Sequence, residues 1–362
     1  MKRWHLQLGA VVLAAMLSAA VLAPWLAGRW GGGKGTPSGP GKGVSAAQPA
    51  RQNSSSAATQ STPRAGATLA GHSTRPASSP APGNWPMFRG NQAQTGLAEG
   101  SLGKDLVLGW TFTTGEAVRS SPVIQDGRVY VGSGDGKLYC LRLGDGGKEW
   151  EFDAGEAIDG PPLVVDGKVL FGTNSGDFFA LDAAKGAKLW QFKTGEKIVG
   201  SANYFRRDGQ LCVVVGSWDF KLYCLAGQGG RQLWSVSTGN YINGSPAIDE
   251  GQICVGGCDN LLHVIGAAGG GQQAAIDVGA YIGGSAAIDG QMVYVGNYKG
   301  FYAIDLKAQR IAWSYEGGGE AFFSSPALSG DRLVVGSRDN ALHCLARSDG
   351  HKFWSFQTQG KV

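Results

Sequence analysis

The chain has 362 residues, of which 60 are glycine and 17% are charged, and its formal net charge is +4. Residues 1–83 hold eight basic residues and no acidic residue, which leaves 24 basic and 28 acidic residues in the remainder. That remainder has a net charge of −4, so the basic balance comes from the leader and argues against a nucleic-acid-binding fold.

The first segment is an uncharged run of 23 residues from Leu6 to Gly28, preceded by Lys2 and Arg3. Such a run is long enough to span a bilayer as a helix, with its positive end in the cytoplasm. Small residues around Ala20 also offer a cleavage site for signal peptidase, although the apolar run continues beyond it. Residues 1–28 are therefore predicted to be a signal anchor or a cleaved signal peptide, and either one exports the chain.

Residues 29–83 are dominated by Gly, Ser, Pro, Ala, Thr and Gln and are too poor in large apolar side chains to form a core. This segment is predicted to be a disordered tether. Random-coil scaling gives it an end-to-end distance of about 40 Å.

The rest of the chain, residues 84–362, carries a repeat that closes on a tryptophan. Successive closing positions are 40, 40, 44, 40, 39 and 41 residues apart. They are Trp110, Trp150, Trp190, Trp234, Ala274, Trp313 and Trp354. A period near 40 with several short strands is typical of a β-propeller blade. The tryptophans are predicted to form a structural ring between the blades, because each can bury a large apolar area.

Each repeat reads as four strands joined by tight turns. In the first complete copy, Asp126-Gly127 separates two extended runs, which predicts a type I′ hairpin. The corresponding pairs in the other copies are Asp166-Gly167, Asp208-Gly209, Glu250-Gly251, Asp289-Gly290 and Gly330-Asp331.

Two motifs resemble those of a known family. The pattern Ala180-x-Asp182, then Gly186, then Trp190 is similar to the repeat of the pyrroloquinoline-quinone (PQQ) β-propeller superfamily, and Asn84–Gly96 (NWPMFRGNQAQTG) resembles the segment that opens such propellers. The resemblance implies an all-β, quinoprotein-type propeller. Members range from quinone-dependent alcohol dehydrogenases to BamB, a non-catalytic scaffold of outer-membrane β-barrel assembly.

The chain departs from both ends of that range. The dehydrogenases carry adjacent cysteines beneath the quinone and a calcium held by acidic and amide side chains, whereas no two cysteines are adjacent here. It also lacks the lipidation cysteine of BamB. The non-catalytic branch is the better match, with a PQQ-dependent oxidoreductase using PQQ and calcium, or a PQQ-binding protein, as the alternative.

The blade count predicts an incomplete ring. Six complete four-stranded blades are expected between Ser120 and Gln357, plus one extra N-terminal strand at Leu106–Thr113 that lacks its first three partners. We therefore predict a parent ring of seven or eight blades. The alternative is a closed six-blade ring with the extra strand added at an edge.

The polar and thiol residues of the repeat have structural interpretations. Cys140, Cys224 and Cys344 share one strand position, and Cys212 and Cys254 share another, so we expect buried thiols rather than disulfides. His263 and His343 replace Tyr or Phe and are predicted to be packing residues. The recurring Asp135, Asp219, Asp259 and Asp339 are expected to form Asx turns rather than metal sites.

The strongest functional signal lies on one rim, where the loop between strands two and three and the loop leading to the next blade meet. We predict that this rim binds a partner. Its residues are Glu116, Arg119, Glu156, Asp159, Glu196, Trp218, Tyr241, Asn243, Tyr281, Tyr298, Glu320, Phe322, Phe323 and Arg338. No catalytic residue and no metal ligand set is predicted.

Together these features predict a non-enzymatic scaffold in the bacterial cell envelope, without a cofactor, whose partners are envelope proteins. A BamB-like role in outer-membrane protein assembly is the most specific form of this hypothesis, and an envelope sensor ectodomain is a further alternative. The location follows from the leader: anchored in the inner membrane facing the periplasm, or soluble in the periplasm if the leader is cleaved.

Overall fold

The computed structural model describes residues 83–100 and 105–362, which all belong to one structural unit. The predicted leader, residues 1–28, and the predicted linker, residues 29–83 apart from Gly83, lie outside the described residues. Strands are the regular elements throughout the described part. No helix within it could cross a membrane.

The described residues form six antiparallel sheets of four strands, each with its strands in chain order. Sheets 1 to 3 contain β1 Val123–Gln125, β2 Arg128–Gly132, β3 Lys137–Arg142, β4 Lys148–Asp153; β5 Leu163–Val165, β6 Lys168–Gly172, β7 Asp177–Asp182, β8 Lys188–Lys193; and β9 Asn203–Arg207, β10 Gln210–Gly216, β11 Lys221–Ala226, β12 Gln232–Ser237. Sheets 4 to 6 contain β13 Ala247–Asp249, β14 Gln252–Gly256, β15 Leu261–Gly266, β16 Gln272–Asp277; β17 Ala287–Asp289, β18 Met292–Gly296, β19 Phe301–Asp305, β20 Arg310–Tyr315; and β21 Ala327–Ser329, β22 Arg332–Ser337, β23 Ala341–Ala346, β24 Lys352–Gln357.

The turn between the first two strands lies at the predicted residues in five of the six sheets, and it has the predicted type I′ conformation in four of them. In sheets 1 to 4 both turn residues have positive φ, for example 51° at Asp126 and 75° at Gly127, as a type I′ turn needs. In sheet 5 the predicted turn was wrong by one residue, because Asp289 still pairs with Met292 and the turn is Gly290-Gln291. There, and at Gly330-Asp331, only the leading glycine has positive φ, which indicates type II′ turns.

Consecutive sheets pack face to face. The second and third strands are buried almost throughout, because Val, Leu, Ile, Phe and Cys fill both of their faces. Five apolar clusters each join one sheet to the next in chain order, from sheets 1 and 2 to sheets 5 and 6. A sixth cluster covers the other face of sheet 1 with Trp85, Trp110 and Phe112. This arrangement is that of propeller blades.

Five of the six tryptophans of the predicted ring bind a neighbouring sheet. A bulge in each third-to-fourth strand pair, such as the register shift between Cys140 and Leu141, precedes the closing position, which is a tryptophan in five sheets and Ala274 in sheet 4. The indole of Trp150 then donates to the carbonyl oxygen of Ala183 in the next sheet at 3.2 Å. Trp110, Trp190, Trp234 and Trp313 make the corresponding bond at 3.0 to 3.2 Å.

Trp354 differs from the others. It is 42% exposed, and every residue of β24 is exposed. Sheet 1 offers it no docking position, because Trp110 already donates to the carbonyl of Leu143 there. The predicted extra strand at Leu106–Thr113 forms no strand pairing within the described part, although it carries Trp110 onto sheet 1. The size of the parent ring stays a prediction.

Residues 84–96, which we call the axial segment, connect all six sheets. Several of the first strands lie against one another, such as β13 against β9 and β17, and a backbone N–H group of five of the six first strands points to this segment. The N–H groups of Ile124, Val164, Ile248, Ile288 and Leu328 donate in chain order to the carbonyls of Trp85, Pro86, Gln92, Ala93 and Thr95, at 2.7 to 2.9 Å. In sheet 3 the amide of Asn203 donates to the carbonyl of Gln92 at 2.7 Å. The segment thus satisfies the inner strand edges.

Arg89 is the charged group of the axial segment. Its φ is 62°, in the left-handed region, and its guanidinium donates to the carbonyl of Pro326 at the start of β21. Burial lowers its pKa to about 10. The side chain of Gln94 reaches the carbonyl of Pro246 in the same way, at 3.0 Å.

Candidate functional site

The rim is built from paired loops. In each sheet, the loop between strands two and three lies beside two connecting loops, the one that enters the sheet and the one that leaves it. One backbone hydrogen bond joins it to each of them. In sheet 4, for example, Cys258 N–H donates to the Tyr241 carbonyl at 2.9 Å and Ile282 N–H donates to the Gly257 carbonyl at 3.0 Å. The same two bonds recur in all six sheets. The predicted rim loops therefore do lie together, on a rigid frame.

On sheets 1 and 2 the rim is polar. Arg119 Nη1 lies 3.5 Å from Asp159 Oδ1, and Asn174 donates to Asp159 Oδ2 at 2.8 Å. Arg119 and Asp159 were predicted; Asn174 was not. Asp159 Oδ1 and Asn174 Oδ1 nevertheless have no hydrogen-bond partner among the described residues.

A first aromatic cluster lies on sheets 3 and 4. The rings of Trp218 and Tyr241 are 4.7 Å apart, and Phe220 meets Tyr241 edge-on at 5.1 Å. Lys197 Nζ lies 3.5 Å from the centre of a Trp218 ring, which is a cation–π contact. Phe220 has a φ of 69°, a conformation that is costly for a bulky residue and is often found at functional sites.

Between the two aromatic clusters, Asn243 donates to Cys258 Sγ at 3.0 Å. Burial raises the pKa of the Cys258 thiol, against the hydrogen bond from Asn243, which lowers it. Cys258 is thus held as a neutral thiol, a poor nucleophile.

A second aromatic cluster lies on sheets 5 and 6. Tyr281 stacks on Tyr298 at 5.4 Å, and Phe323 lies 5.4 Å from Tyr281. The guanidinium of Arg338 lies 5.6 Å from the Phe323 ring centre. Beside this cluster is an open depression of about 280 Å³ lined by Tyr298, Gly319, Glu320, Ala321, Arg338 and Lys361.

The remaining predicted rim residues divide by exposure. Glu116, Glu156, Glu196 and Glu320 are exposed, and within the described residues none of them forms an ion pair. Phe322 is fully buried in the core between sheets 5 and 6, so its placement on the rim was wrong. It occupies the position of Ile158 and Ile198 and packs against Gly296, leaving Phe323 to face the rim.

Sequence reasoning missed Asn174, Lys197, Phe220, Cys258 and Lys361. Phe220 stands out in the repeat, because the same turn position holds only Gly or Asn at Gly136, Gly176, Asn260 and Asn340. Cys258 shares the position of Trp218, Tyr298 and Arg338, so the repeat alignment would have found it too. Lys197 and Lys361 share the position of Tyr241 and Tyr281, so alignment of the loops would have found them.

The recurring aspartates form Asx turns, as predicted, and also join neighbouring sheets. Asp135 Oδ1 accepts the N–H of Lys137 at 3.1 Å, while Oδ2 accepts the Tyr139 hydroxyl and the N–H of Gly115, both at 2.7 Å. Burial raises the pKa of Asp135, but the hydrogen bonds from Tyr139 and Gly115 outweigh it and the net shift is downward.

His263 and His343 take the place of that tyrosine, with Nε2 at 2.8 and 2.9 Å from Asp259 and Asp339. Both are buried. They are packing residues, as predicted. Each ring also forms the hydrogen bond to its aspartate that the Tyr139 hydroxyl forms to Asp135.

The donor set does not fit PQQ with calcium. All six cysteines are free and none is adjacent to another, and five of them are buried in the strands. Within residues 83–100 and 105–362, no three His, Cys, Asp or Glu side chains are grouped as metal ligands. The axial segment also lies along the first strands of all six sheets, where a ligand on the axis would meet it.

The described residues form six four-stranded sheets in chain order, and tryptophans join four of the five consecutive pairs. Together with the family match, this defines the chain as a PQQ-like β-propeller. Residues 104–315, more than half of the chain, match the family described as outer membrane protein assembly factor BamB. The chain belongs to this family. No curated protein sequence matches it.

Solved structures of low sequence identity share the fold. BamB from Moraxella catarrhalis has a TM-score of 0.60 at 20% identity, over 70% of this chain and 78% of that one. The computationally designed Ika8 protein has a TM-score of 0.58 at 17% identity, over 67% and 76% of the two chains. Quinohemoprotein alcohol dehydrogenase from Comamonas testosteroni has a TM-score of 0.59 at 15% identity, over 67% of this chain and 59% of that one.

Proposed function

We propose that the chain is a non-enzymatic propeller scaffold of the bacterial cell envelope that binds protein partners through its rim. The observation that carries this proposal is the pair of aromatic clusters, one around Trp218 and Tyr241 and one around Tyr281, Tyr298 and Phe323. Rigid aromatic side chains with neighbouring cations are typical of binding surfaces rather than of reaction centres.

The envelope location rests on the apolar run Leu6–Gly28 and on the family to which the chain belongs. The family description supports a role in outer-membrane protein assembly as the most specific form of the proposal. An alkaline phosphatase fusion after Gly83 tests the export. An active fusion is expected, and an inactive one contradicts it.

A pull-down from solubilised envelope, with the full-length chain as bait, tests the rim. The triple substitution Trp218→Ala, Tyr241→Ala and Tyr281→Ala should abolish capture, because it removes rings from both clusters. These rings are only partly buried, so the thermal transition should shift by no more than a few degrees.

The matched control replaces three exposed residues in the tight turns of the opposite face, Lys185→Ala, Gln228→Ala and Lys307→Ala. Capture should survive these changes. If this control lost capture and the rim variant kept it, the binding surface would lie on the opposite face and not on the rim.

The alternative is a PQQ-dependent oxidoreductase, which the likeness to quinohemoprotein alcohol dehydrogenase favours. Incubation with PQQ and calcium followed by a dye-linked alcohol assay separates the two functions. We expect no turnover, because no two cysteines are adjacent in the chain and no group of three metal-ligating side chains is found in the part that the structure describes. Sustained dye reduction would contradict the scaffold proposal and favour the oxidoreductase.

A further inference from the structure

The open depression between sheets 5 and 6, which we call the Tyr298 pocket, combines an aromatic surface with two cations. Tyr298 is 56% exposed, yet its ring is held by Tyr281 at 5.4 Å and by Phe323 at 6.3 Å. A ring fixed from behind loses little conformational entropy when a ligand covers its open face. Tyr298 is therefore a preorganised platform for an apolar or aromatic side chain.

The two cations of the pocket are Arg338 and Lys361. Within the described residues neither lies within ion-pair distance of a carboxylate, whereas Arg119, on the rim of sheets 1 and 2, lies 3.5 Å from Asp159. The Arg338 guanidinium lies over Phe323 and forms no side-chain hydrogen bond to a described residue. Next to Lys361, the N–H of Val362 donates to the Ser337 carbonyl at 3.1 Å, which ties the backbone to this side of the pocket.

The chemistry of this pocket selects an anion next to an apolar group. A polyanion such as a nucleic acid is disfavoured, because the exposed Glu116, Glu156 and Glu196 on the same rim would repel it. A single carboxylate of a protein avoids that repulsion and matches the planar donors of an arginine.

We infer that the Tyr298 pocket binds an extended segment of a partner protein by an Asp or Glu side chain at Arg338 and Lys361 and by a neighbouring aromatic side chain on Tyr298. This inference rests on the proposed rim function and names the chemistry of the partner. Glu320 lines the same pocket, so it opposes the incoming carboxylate and limits the affinity.

Three capped peptides measure the two contributions separately: Gly-Gly-Asp-Phe-Gly, the same peptide with Asp replaced by Asn, and the same peptide with Phe replaced by Ala. Binding of each to the full-length chain in detergent is measured by titration calorimetry at low salt. The Asn and the Ala peptides should each bind about tenfold more weakly than the parent, since a charged hydrogen bond or a ring contact is lost. Equal binding of the Asp and Asn peptides would overturn the inference.

Two substitutions of opposite sign test the pocket residues. Arg338→Gln should weaken the parent peptide about tenfold and remove its preference over the Asn peptide. Glu320→Gln should tighten the parent peptide, because a like charge is removed, and leave the Asn peptide unchanged. If Glu320→Gln weakens the parent peptide, the carboxylate does not enter this pocket.

Lys197→Gln is the matched control, because it removes a cation of the other aromatic cluster. It should leave peptide binding unchanged. An unaltered thermal transition in each variant excludes unfolding as the cause. If envelope partners are captured through the rim while all three peptides fail to bind at millimolar concentration, the pocket inference fails and the scaffold proposal survives.

Discussion

The indole N–H of Trp190 donates to the carbonyl oxygen of Gly227 in the next sheet at 3.2 Å, with Gly230 directly against its ring. Trp354 occupies the same repeat position but is 42% exposed, against 9% for Trp190. The same residue type at one repeat position therefore has two different environments within one chain.

These environments predict different costs for the same substitution. Trp190→Ala should lower the free energy of unfolding by about 3 to 5 kcal/mol, as expected for a buried tryptophan. Trp354→Ala should cost less, about 1 to 2 kcal/mol, because this side chain is 42% exposed and its indole forms no hydrogen bond within the described part. Urea unfolding followed by fluorescence measures both. Equal losses would mean that Trp354 is covered in solution.

The glycine beneath the tryptophan gives a second matched pair. Gly230 and Gly209 have φ of 67° and 75°, but a Cβ at Gly230 would lie 2.5 Å from the Trp190 ring, while a Cβ at Gly209 would meet nothing within 4 Å. Gly209→Ala should cost about 1 kcal/mol from backbone strain alone. Gly230→Ala should cost about 2 to 4 kcal/mol, because the indole must also move. Comparable losses in thermal unfolding would show that the ring moves away freely.

The lowered pKa of Asp135 predicts a pH-dependent contribution to stability. A carboxyl whose pKa falls on folding stabilises the fold above its usual pKa, near 4, and this contribution is lost as the pH falls through the lowered value. Asp135→Asn keeps the Asx turn but places an amide donor toward the N–H of Gly115 or the Tyr139 hydroxyl. It should be less stable by about 1 to 3 kcal/mol at pH 7, with the difference shrinking below about pH 4. A difference that does not change between pH 7 and pH 3 would contradict the ionic role.

The axial segment should be as important to stability as a buried strand. The amide of Asn203, which is fully buried, donates to the carbonyls of Gln92 and Pro246 at 2.7 and 2.8 Å. Asn203→Ala leaves both carbonyls without this donor and should cost about 2 to 4 kcal/mol. Asn243→Ala on the rim, which removes a bond to sulfur, is the control and should cost less than about 1 kcal/mol. Hydrogen exchange at Ile248 and Ile288 would report whether the segment has loosened.

The repeat made most of the fold predictable, because each blade carries its own turn residues, apolar strands and closing tryptophan. The type II′ turns were missed for two reasons. Gly330 stands at the first turn position, which favours type II′, and in sheet 5 the strand register brings Gly290 to that position. Phe322 and Phe323 were not distinguished, although alignment with Ile158 and Ile198 places Phe322 in the core. The path of the axial segment had no such signal: its contacts with Ile124 and Leu328 are made by backbone groups, which leave no trace in side-chain patterns.

Phe220 gives the sharpest separation of binding from stability. Its φ is 69°, whereas the same turn position holds Asn260 at 67° and Asn340 at 65°, a residue type that tolerates this conformation. In Phe220→Asn, relief of backbone strain should offset the lost edge-on contact with Tyr241, so the free energy of unfolding should change by less than about 1 kcal/mol. Partner capture through the first aromatic cluster should nevertheless fall, because the exposed ring is gone. The reciprocal Asn260→Phe should cost about 1 to 3 kcal/mol, since it introduces the strain without the Tyr241 contact. A large loss of stability in Phe220→Asn, with capture retained, would show that this ring serves the fold and not the partner.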